Sequence, residues 1–450
     1  MSNCVIRFGG NSLYKLPVLE AFANLLTGVT DNKIVIVSAV PEIVKIIEQG
    51  IEVLKSGNSD SETIINQLNT LIEERIPVSN LPVGRAKLES ELTNLQSLLR
   101  GIELTGDFSL SLKDQVISYS ERITSEILNA FLTSRNVLTK VLLPEDLGLY
   151  VTEEYGNASV LLEEPQNLNG LCGEGNVLVP GSYGITKSGK IARIGKYSAD
   201  YSAAAIARLV GANSLELWEI DKEFRTAEVN YVVNSQIIPR LTYSEASELS
   251  YFSGRSIHPR IVEPLISKHI PIHVYRLVDK NKELTTIINS ESVVSPNVVK
   301  SVVHTEEIAV LKLNGPGVGF KPGILAKVTT AFHNASINIR SVITSQVSIN
   351  IILNKDEVEK ASKICSSLLL TSVNEIIIDG DVSLIAVIGH GMQKHHGVSA
   401  KLFTAVAQHK INVLLSGSGA SDLVSYLIID QKDTAKAISE IHNIFFNDLN

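Results

Sequence analysis

Arg7, Gly9 and Gly10, in the run Cys4-Val5-Ile6-Arg7-Phe8-Gly9-Gly10-Asn11-Ser12, put a cation and two residues without side chains at the end of an apolar stretch. Lacking a Cβ, Gly9-Gly10 can turn tightly and approach a ligand, and N–H groups exposed at such a turn bind anions, most strongly where a helix follows. Val18 to Leu26 has helical spacing, and Pro17 suits a first helical position. The stretch reads as a phosphate or carboxylate seat, with a plain tight turn as the alternative. A second group, Gly195-Lys196-Tyr197-Ser198-Ala199-Asp200, joins small residues to one cation and one acid. Asp200 in the first turn of a helix suits the dipole there; in the functional reading this loop faces the same sheet edge as Gly9-Gly10. Ser38 closes the apolar strand Ile34 to Val37, and ligands gather at the carboxyl ends of strands in open α/β sheets, so it would share that pocket. Glu121, early in a helix from Asp114 to Leu132, is either a solvated carboxylate, an intrahelical partner of Arg122 or Ser125, or part of a site.

The elements that must hold these residues follow from periodicity. Buried strands at 34–37, 137–143, 177–180, 215–218 and 270–274 alternate with helices, two or three of them between 43 and 103, which argues for one large, mainly parallel sheet covered on both faces across residues 1–297. Thr242 and Glu245 have capping-box spacing at a helix entry. Past Asn297 the pattern changes to strand, loop, helix, strand, strand, helix, and then repeats at a spacing of roughly 75 residues, each copy of ferredoxin-like order. The copies divide as 298–380 and 381–450 and carry no evident nucleophile and base, so binding is their expected task.

Composition bounds the rest. The chain has 450 residues, 44% hydrophobic and 20% charged, with a net charge of −8 and no stripe of Lys and Arg, which argues against nucleic acid as a partner. No apolar run approaches the length of a membrane span and no signal-type segment opens the chain, so a cytoplasmic location is the default. Cys4, Cys172 and Cys365 are far apart and lack metal spacing; each reads as a small core residue in a reducing compartment. His390, His395, His396 and His409 cluster without a Cys, Asp or Glu at ligand spacing, and no metal site is assigned to them.

Taken in order, the Gly-Gly turn, the Ser118-x-x-Glu121 helix, Gly181-x-x-Gly184, Asp200-Tyr201-Ser202-Ala203-Ala204, a strand ending in Trp218, Leu241 to Leu249, Tyr251 to Pro259 and the two repeats resemble the aspartokinases over essentially the whole chain. The resemblance implies a three-layer α/β/α amino acid kinase sandwich followed by two ACT modules of βαββαβ type, ATP with magnesium as phosphoryl donor, and aspartate as acceptor, the first step toward lysine, threonine and methionine. It implies an amino acid effector and a homodimer or higher assembly through the ACT modules. Arg7 stands where the family has a lysine that steadies the transferring phosphoryl group, and Gly9, Gly10 and Ser38 would line the channel. Glu121 would hold the substrate ammonium, Lys196 stands at the family's carboxylate-binding arginine, with Ser198 beside it, Asp200 matches the family's acid, and Arg255 stands at a lysine that reaches the nucleotide. Tyr183, Trp218, Asp221 and Phe224 would be the nucleotide's other neighbours.

The motifs also depart from the family. Arg7-Phe8-Gly9-Gly10-Asn11-Ser12 replaces K-F-G-G-T-S, Gly195 to Asp200 replaces G-R-G-G-S-D with Tyr197 in place of a glycine, and Trp218 to Phe224 lacks the usual aspartate-glycine turn. Three cation positions keep their sign and change their type, which alters length and fork geometry. A retuned anion pocket and a non-catalytic amino acid sensor are both consistent with that pattern. In the first repeat, Val318, Gly319, Phe320, Gly323, Ile324 and Leu325 correspond to the effector loop and helix start, and Ser345-Gln346 to the strand that meets the effector. Lysine-sensitive relatives place an acid where this chain has Arg340, and a cation there would repel a lysine side chain by on the order of a few kcal/mol. Lysine is therefore not the expected effector.

Overall fold

The computed structural model describes residues 4–27, 33–57, 60–76, 85–106, 108–163, 175–195, 198–219, 223–253, 257–278, 281–292, 298–368, 370–419 and 421–446. They fall into two compact units: Met1–Phe224, Pro239–Ser247 and Arg255–Glu291 in the first, and Arg225–Ile238, Glu248–Gly254 and Ser292–Asn450 in the second. The expected division at 297/298 is thus crossed by two short segments that pack with the second unit.

The first unit is built on strands β1 (Cys4–Gly9), β2 (Ile34–Ser38), β3 (Thr139–Val141) and β4 (Asn176–Pro180), the hairpin β5 (Tyr183–Ile185) and β6 (Ile191–Arg193), and β7 (Ser214–Glu219), β8 (Arg240–Thr242), β9 (Ile272–Val278) and β10 (Asn281–Asn289). Apart from the hairpin they form one sheet in the order β3-β4-β2-β1-β7-β9-β10-β8, parallel except where β10 meets β9. Every residue of β1 and β2 is buried, as expected of strands covered on both faces. Alternation divides β1 between those faces. Cys4, Ile6 and Phe8 enter a core with helices α1 (Leu16–Thr27), α2 (Pro41–Lys55), α3 (Ser61–Arg75), α4 (Arg85–Thr105) and α5 (Leu110–Ser134), where Phe8 stacks on Phe22 at 3.8 Å. Val5 and Arg7 point the other way, toward helix α6 (Ala199–Leu209). Complete burial of Val5, Ile6 and Phe8 contributes about 1.5–3 kcal/mol each. The layers are those of an α/β/α sandwich.

Helix α7 (Tyr243–Ser253) opens with the capping box: Thr242 N–H donates to Glu245 Oε2 at 2.8 Å and Glu245 N–H to Thr242 Oγ1 at 3.1 Å. A short helix, α8 (Glu263–Ile266), precedes β9.

The second unit carries two four-stranded antiparallel sheets. Its strands are β11 (Ser301–Thr305), β12 (Ile308–Asn314), β13 (Ser341–Thr344), β14 (Ser348–Asn354), β15 (Glu375–Asp379), β16 (Val382–Ile388), β17 (Val413–Ser418) and β18 (Val424–Asp430), and its helices α9 (Ile324–Asn334), α10 (Val358–Ser367), α11 (Val398–Gln408) and α12 (Thr434–Phe446). The sheet orders are β13-β14-β12-β15 and β11-β16-β18-β17. The first module is contiguous. The second takes its edge strand, β11, from the chain ahead of the first, so the split at 380/381 does not describe the sheets: 301–305 pairs with 384–388.

Cys4 and Cys365 are buried, and burial pushes their thiols up to about 12 and about 11. Cys172 lies outside the described residues. No helix among the described residues is long and apolar enough to cross a membrane.

Candidate active site

Parallel pairing of β1 with β2 sets Gly9 beside Ser38. Gly9 has φ 129°, and a Cβ there would lie 2.5 Å from Ser38 O and 2.8 Å from Ser38 N, so conformation and space both demand glycine. Gly181 follows β4, donates to Val37 O at 3.0 Å, and has no room for a Cβ because Ala199 Cβ would be 2.7 Å away. The start of α6 is thereby seated on the ends of β2 and β4. Ser198 precedes α6 and donates through Oγ to Gly195 O at 2.8 Å, while Ser202 Oγ accepts the Ser182 N–H at 3.0 Å. Two residues into the helix, Asp200 meets Arg7: Nε to Oδ1 is 2.8 Å, and both side chains are buried. Asp200 Oδ2 also accepts the His258 N–H at 2.9 Å. Burial pulls the His258 imidazole below its ordinary pKa, against the opposing pull of Asp200. Arg7, Gly9, Gly10, Ser38, Ser198 and Asp200 therefore share one end of the sheet.

Glu121 comes to the unit's interior from α5. Asp114, Ser118, Glu121 and Ser125 recur at helical spacing and are all buried, forming a polar stripe on one face. Asp114 Oδ2 accepts the N–H groups of Gly156 at 2.7 Å and Arg193 at 2.8 Å, tying α5 to β6. Glu121 is 3% exposed and accepts from Ser120 Oγ at 2.8 Å. Burial raises its pKa, opposed first by the positive charge of Arg193 and then by the hydroxyls of Ser120 and Ser182. The solvated-carboxylate and intrahelical readings are both corrected: Arg122 instead pairs with Glu145 and lies over the rings of Tyr119, at 4.9 Å, and Tyr183, at 5.5 Å, while Ser125 Oγ bonds the Glu121 carbonyl rather than its carboxylate.

The expected nucleotide neighbours are not all placed for that role. Trp218 is a core residue, edge-on to Phe22 at 5.6 Å, with its indole N–H donated to Glu216 at 2.7 Å and Lys282 over its ring at 4.5 Å. Its apolar ring is consumed by packing. Phe224 and Tyr183 are also buried. Lys196, Asp221 and Arg255 lie outside the described residues, so nothing is placed for them. Arg193 was absent from the sequence expectations; a basic residue at a strand end two positions before Gly195 was the available signal. Among the described residues no group of three or more His, Cys, Asp or Glu could hold a metal ion.

Residues 3–276 match the amino acid kinase family, and 303–366 and 385–445 match ACT domains. The chain belongs to the amino acid kinase family. Among its relatives, the bifunctional aspartokinase/homoserine dehydrogenase of Buchnera aphidicola is 25% identical over 98% of this chain, which spans only 56% of that protein. Aspartokinase 2 of Arabidopsis thaliana, a chloroplast protein, is 25% identical over 98% of this chain and 84% of its own length. In fold, the chain is similar to E. coli aspartokinase III determined with aspartate and ADP, with a TM-score of 0.79 at 19% identity over 99% of this chain and 100% of that one.

In the first ACT module, Val318 and Ile324 are core residues, Gly323 starts α9 in the left-handed region at φ 88°, and Phe320, 83% exposed, and Leu325 face outward. Gly319 N–H donates to Gln346 O at 3.1 Å, and a Cβ on Gly319 would lie 2.0 Å from Ser345 O. The loop and the Ser345-Gln346 turn are thus brought together. Arg340 is not directed to that loop. Its Nη2 donates to Tyr251 O, its guanidinium lies over the Tyr251 ring at 4.9 Å, and Tyr251 Oη donates to Arg340 O at 3.2 Å. Packing on an aromatic ring and a carbonyl gives Arg340 a structural task.

Proposed function

We propose that this chain transfers the γ-phosphoryl group of ATP, carried as its magnesium complex, to the β-carboxylate of aspartate, and that an amino acid regulates it through the ACT modules. The observation that carries this reading is the meeting of Arg7, Gly9, Ser38 and Asp200 at the ends of β1 and β2 and the start of α6, in an amino acid kinase whose curated relatives are named aspartokinases. The acceptor needs no general base, because an aspartate side chain, with an ordinary pKa of about 3.9, is already ionised near neutrality. One of its oxygens attacks the γ-phosphorus, the bond to the β,γ-bridging oxygen breaks, and ADP departs with the electron pair. What the protein must supply is alignment and positive charge. The glycine backbone lets phosphate approach closely, Arg7 brings a cation held in place by Asp200, and Glu121 offers a buried carboxylate to the substrate ammonium.

Paired ACT modules favour a dimer or larger assembly, and the cysteine usage favours a reducing compartment, the cytoplasm in our reading. A coupled assay of ADP release across a panel of amino acids tests the activity. Aspartate is expected to drive release in the native chain, with loss of about 100-fold or more in Asp200→Ala and Glu121→Ala. Release that is independent of every acid, or unaltered in both variants, would refute it.

A further inference from the structure

The phosphate seat is built on glycines, and something outside it must hold it still. Gly9 and Gly10 have φ 129° and 61°, and the turn from Gly10 to Tyr14 is one short stretch of 3-10 helix. Both features leave the backbone loosely determined: glycine has the widest choice of conformations, and the 3-10 turn has the poorer hydrogen-bond geometry. Phosphoryl transfer tolerates little of that freedom, since a misplacement of about 1 Å can cost about 100-fold in rate.

The near anchors are the buried Ser12 and Leu13 and the pairing of Gly9 with Ser38 across β1 and β2. Past that pair the chain runs into two separate turns, each bonded to its own backbone: Lys15 N–H to Ser12 O at 3.3 Å in one, Ile43 N–H to Val40 O at 3.0 Å in the other. A side chain bridges them. Tyr14 Oη, at the end of the first turn, donates at 2.6 Å to Glu42 Oε2, in the first turn of α2. That is the length of a charge-assisted bond. Burial, and then the bond itself, push the Tyr14 phenol above its ordinary pKa, which keeps it a donor. Its ring packs against the core that holds Phe8 and Phe22. Glu42 is doubly suited, because a carboxylate in the first turn of a helix also meets the helix dipole. Thr124 Oγ1 of α5 accepts the Val40 N–H at 3.2 Å, so the turn from which Glu42 projects is itself fixed.

We propose that Tyr14 is a positioning residue, whose hydroxyl, held by Glu42, keeps the Gly9-Gly10 turn at a fixed spacing from Ser38 and so aligns the phosphoryl group between them. This rests on the proposed kinase activity. Tyr14 acts through the turn, and Glu42 is the other half of the clamp.

The test uses the full chain with Tyr14→Phe, Glu42→Ala, Glu42→Gln and the double variant Tyr14→Phe/Glu42→Ala. Tyr14→Phe keeps the ring and loses the bond; it should lower kcat about 30-fold while KM for ATP and for aspartate stay within about threefold. Glu42→Ala should do the same, and the double variant should lose no more than either, the mark of one shared contact. Glu42→Gln retains an acceptor and should recover most of the rate. Either single variant decides the matter if the other does not fold. A merely structural bond would lower the melting temperature and leave kcat of the folded variants near native. That result, or losses that multiply in the double variant, overturns the role of Tyr14 and leaves the kinase reading standing. If the native chain releases no ADP with aspartate, that reading fails, and amide hydrogen exchange decides the clamp separately. Exchange at residues 10–14 and 42–44 that rises about tenfold or more in Tyr14→Phe supports it; unchanged exchange overturns it.

Discussion

The two ACT modules repeat each other down to single atoms and differ in where their edge strand comes from. Gly315 and Gly389 occupy the same place after β12 and β16, and a Cβ on either would lie 1.9 Å from a carbonyl oxygen, of Ser372 in one and of Val298 in the other. Those carbonyls stand three residues before β15 and β11 respectively, the strands that complete the two sheets. Gly323 and Gly397, both at φ 88°, start α9 and α11. The equivalence of β15 and β11 is therefore one of packing geometry, independent of chain order. Side chains then separate the modules. The second ties its loop with side chains: Gln393 bonds the Asp422 carboxylate at 3.0 Å through N–H and Gly419 O at 3.0 Å through Nε2, and His395 Nδ1 meets Gly391 O at 3.1 Å. In the first, the loop is joined by backbone at Gly319 and leaves Phe320 exposed. The second loop is thus tied by side chains and the first by backbone, while residues 319–323 and 393–397 are exposed alike.

The comparison can be broken most severely at the borrowed strand. Val302 in β11 is 1% exposed and belongs to the second module's core, so Val302→Asp should remove about 3 kcal/mol or more, exposing residues after Val382 to proteolysis while β12–β15 remain protected. Simultaneous digestion of both modules would show that they are one cooperative body.

Gly389→Ala and Gly315→Ala should each cost about 2–3 kcal/mol, because the added methyl meets backbone rather than a movable side chain. Thermal unfolding of the two variants should give losses of similar size. A large loss from one alone would contradict the packing equivalence.

Phe320→Ala should change stability by less than about 0.5 kcal/mol, as an exposed substitution, yet weaken regulation by the effector.

The smallest effect concerns pH. His442 of α12 is buried, bonds Thr226 Oγ1 at 2.9 Å, and has its pKa lowered by burial. The native state thus holds it neutral, and its contribution is complete above the ordinary imidazole value of 6.5 and fades as the pH falls below that value through its own lowered one. Acidification from neutrality should lower the second module's melting point by a few degrees more than in a His442→Gln variant; identical pH profiles would exclude this residue as the cause.

Local signals were legible in the sequence and long-range ones were not. The Thr242/Glu245 box, the Gly9-Gly10 turn and the repeat itself could be read because each depends on neighbours a few residues apart. The start of the helix Ile324–Asn334 is legible too, since Gly323 and the apolar spacing after it lie together. Strand β11 escaped because Val302-Val303 looks apolar whichever sheet it joins, and its partner lies more than eighty positions on. The residues alone leave Glu121 open between solvent, an intrahelical partner and a site, because one carboxylate says nothing about burial; the buried stripe from Asp114 to Ser125 decides for the interior. Trp218 is set beside the nucleotide by the resemblance alone, whereas Phe22, its neighbour in space, lies far off in sequence.

Strand β11 leaves the ribosome before any of the residues it will pair with. While the first module is being made and closes on itself, this apolar ribbon must wait with its hydrogen-bonding edge open, the condition in which chains stick to one another. Synthesis thus builds the inner module first and the outer one around it, so a pause or premature stop after Asp379 would release a chain with a finished first module and a bare strand inviting aggregation.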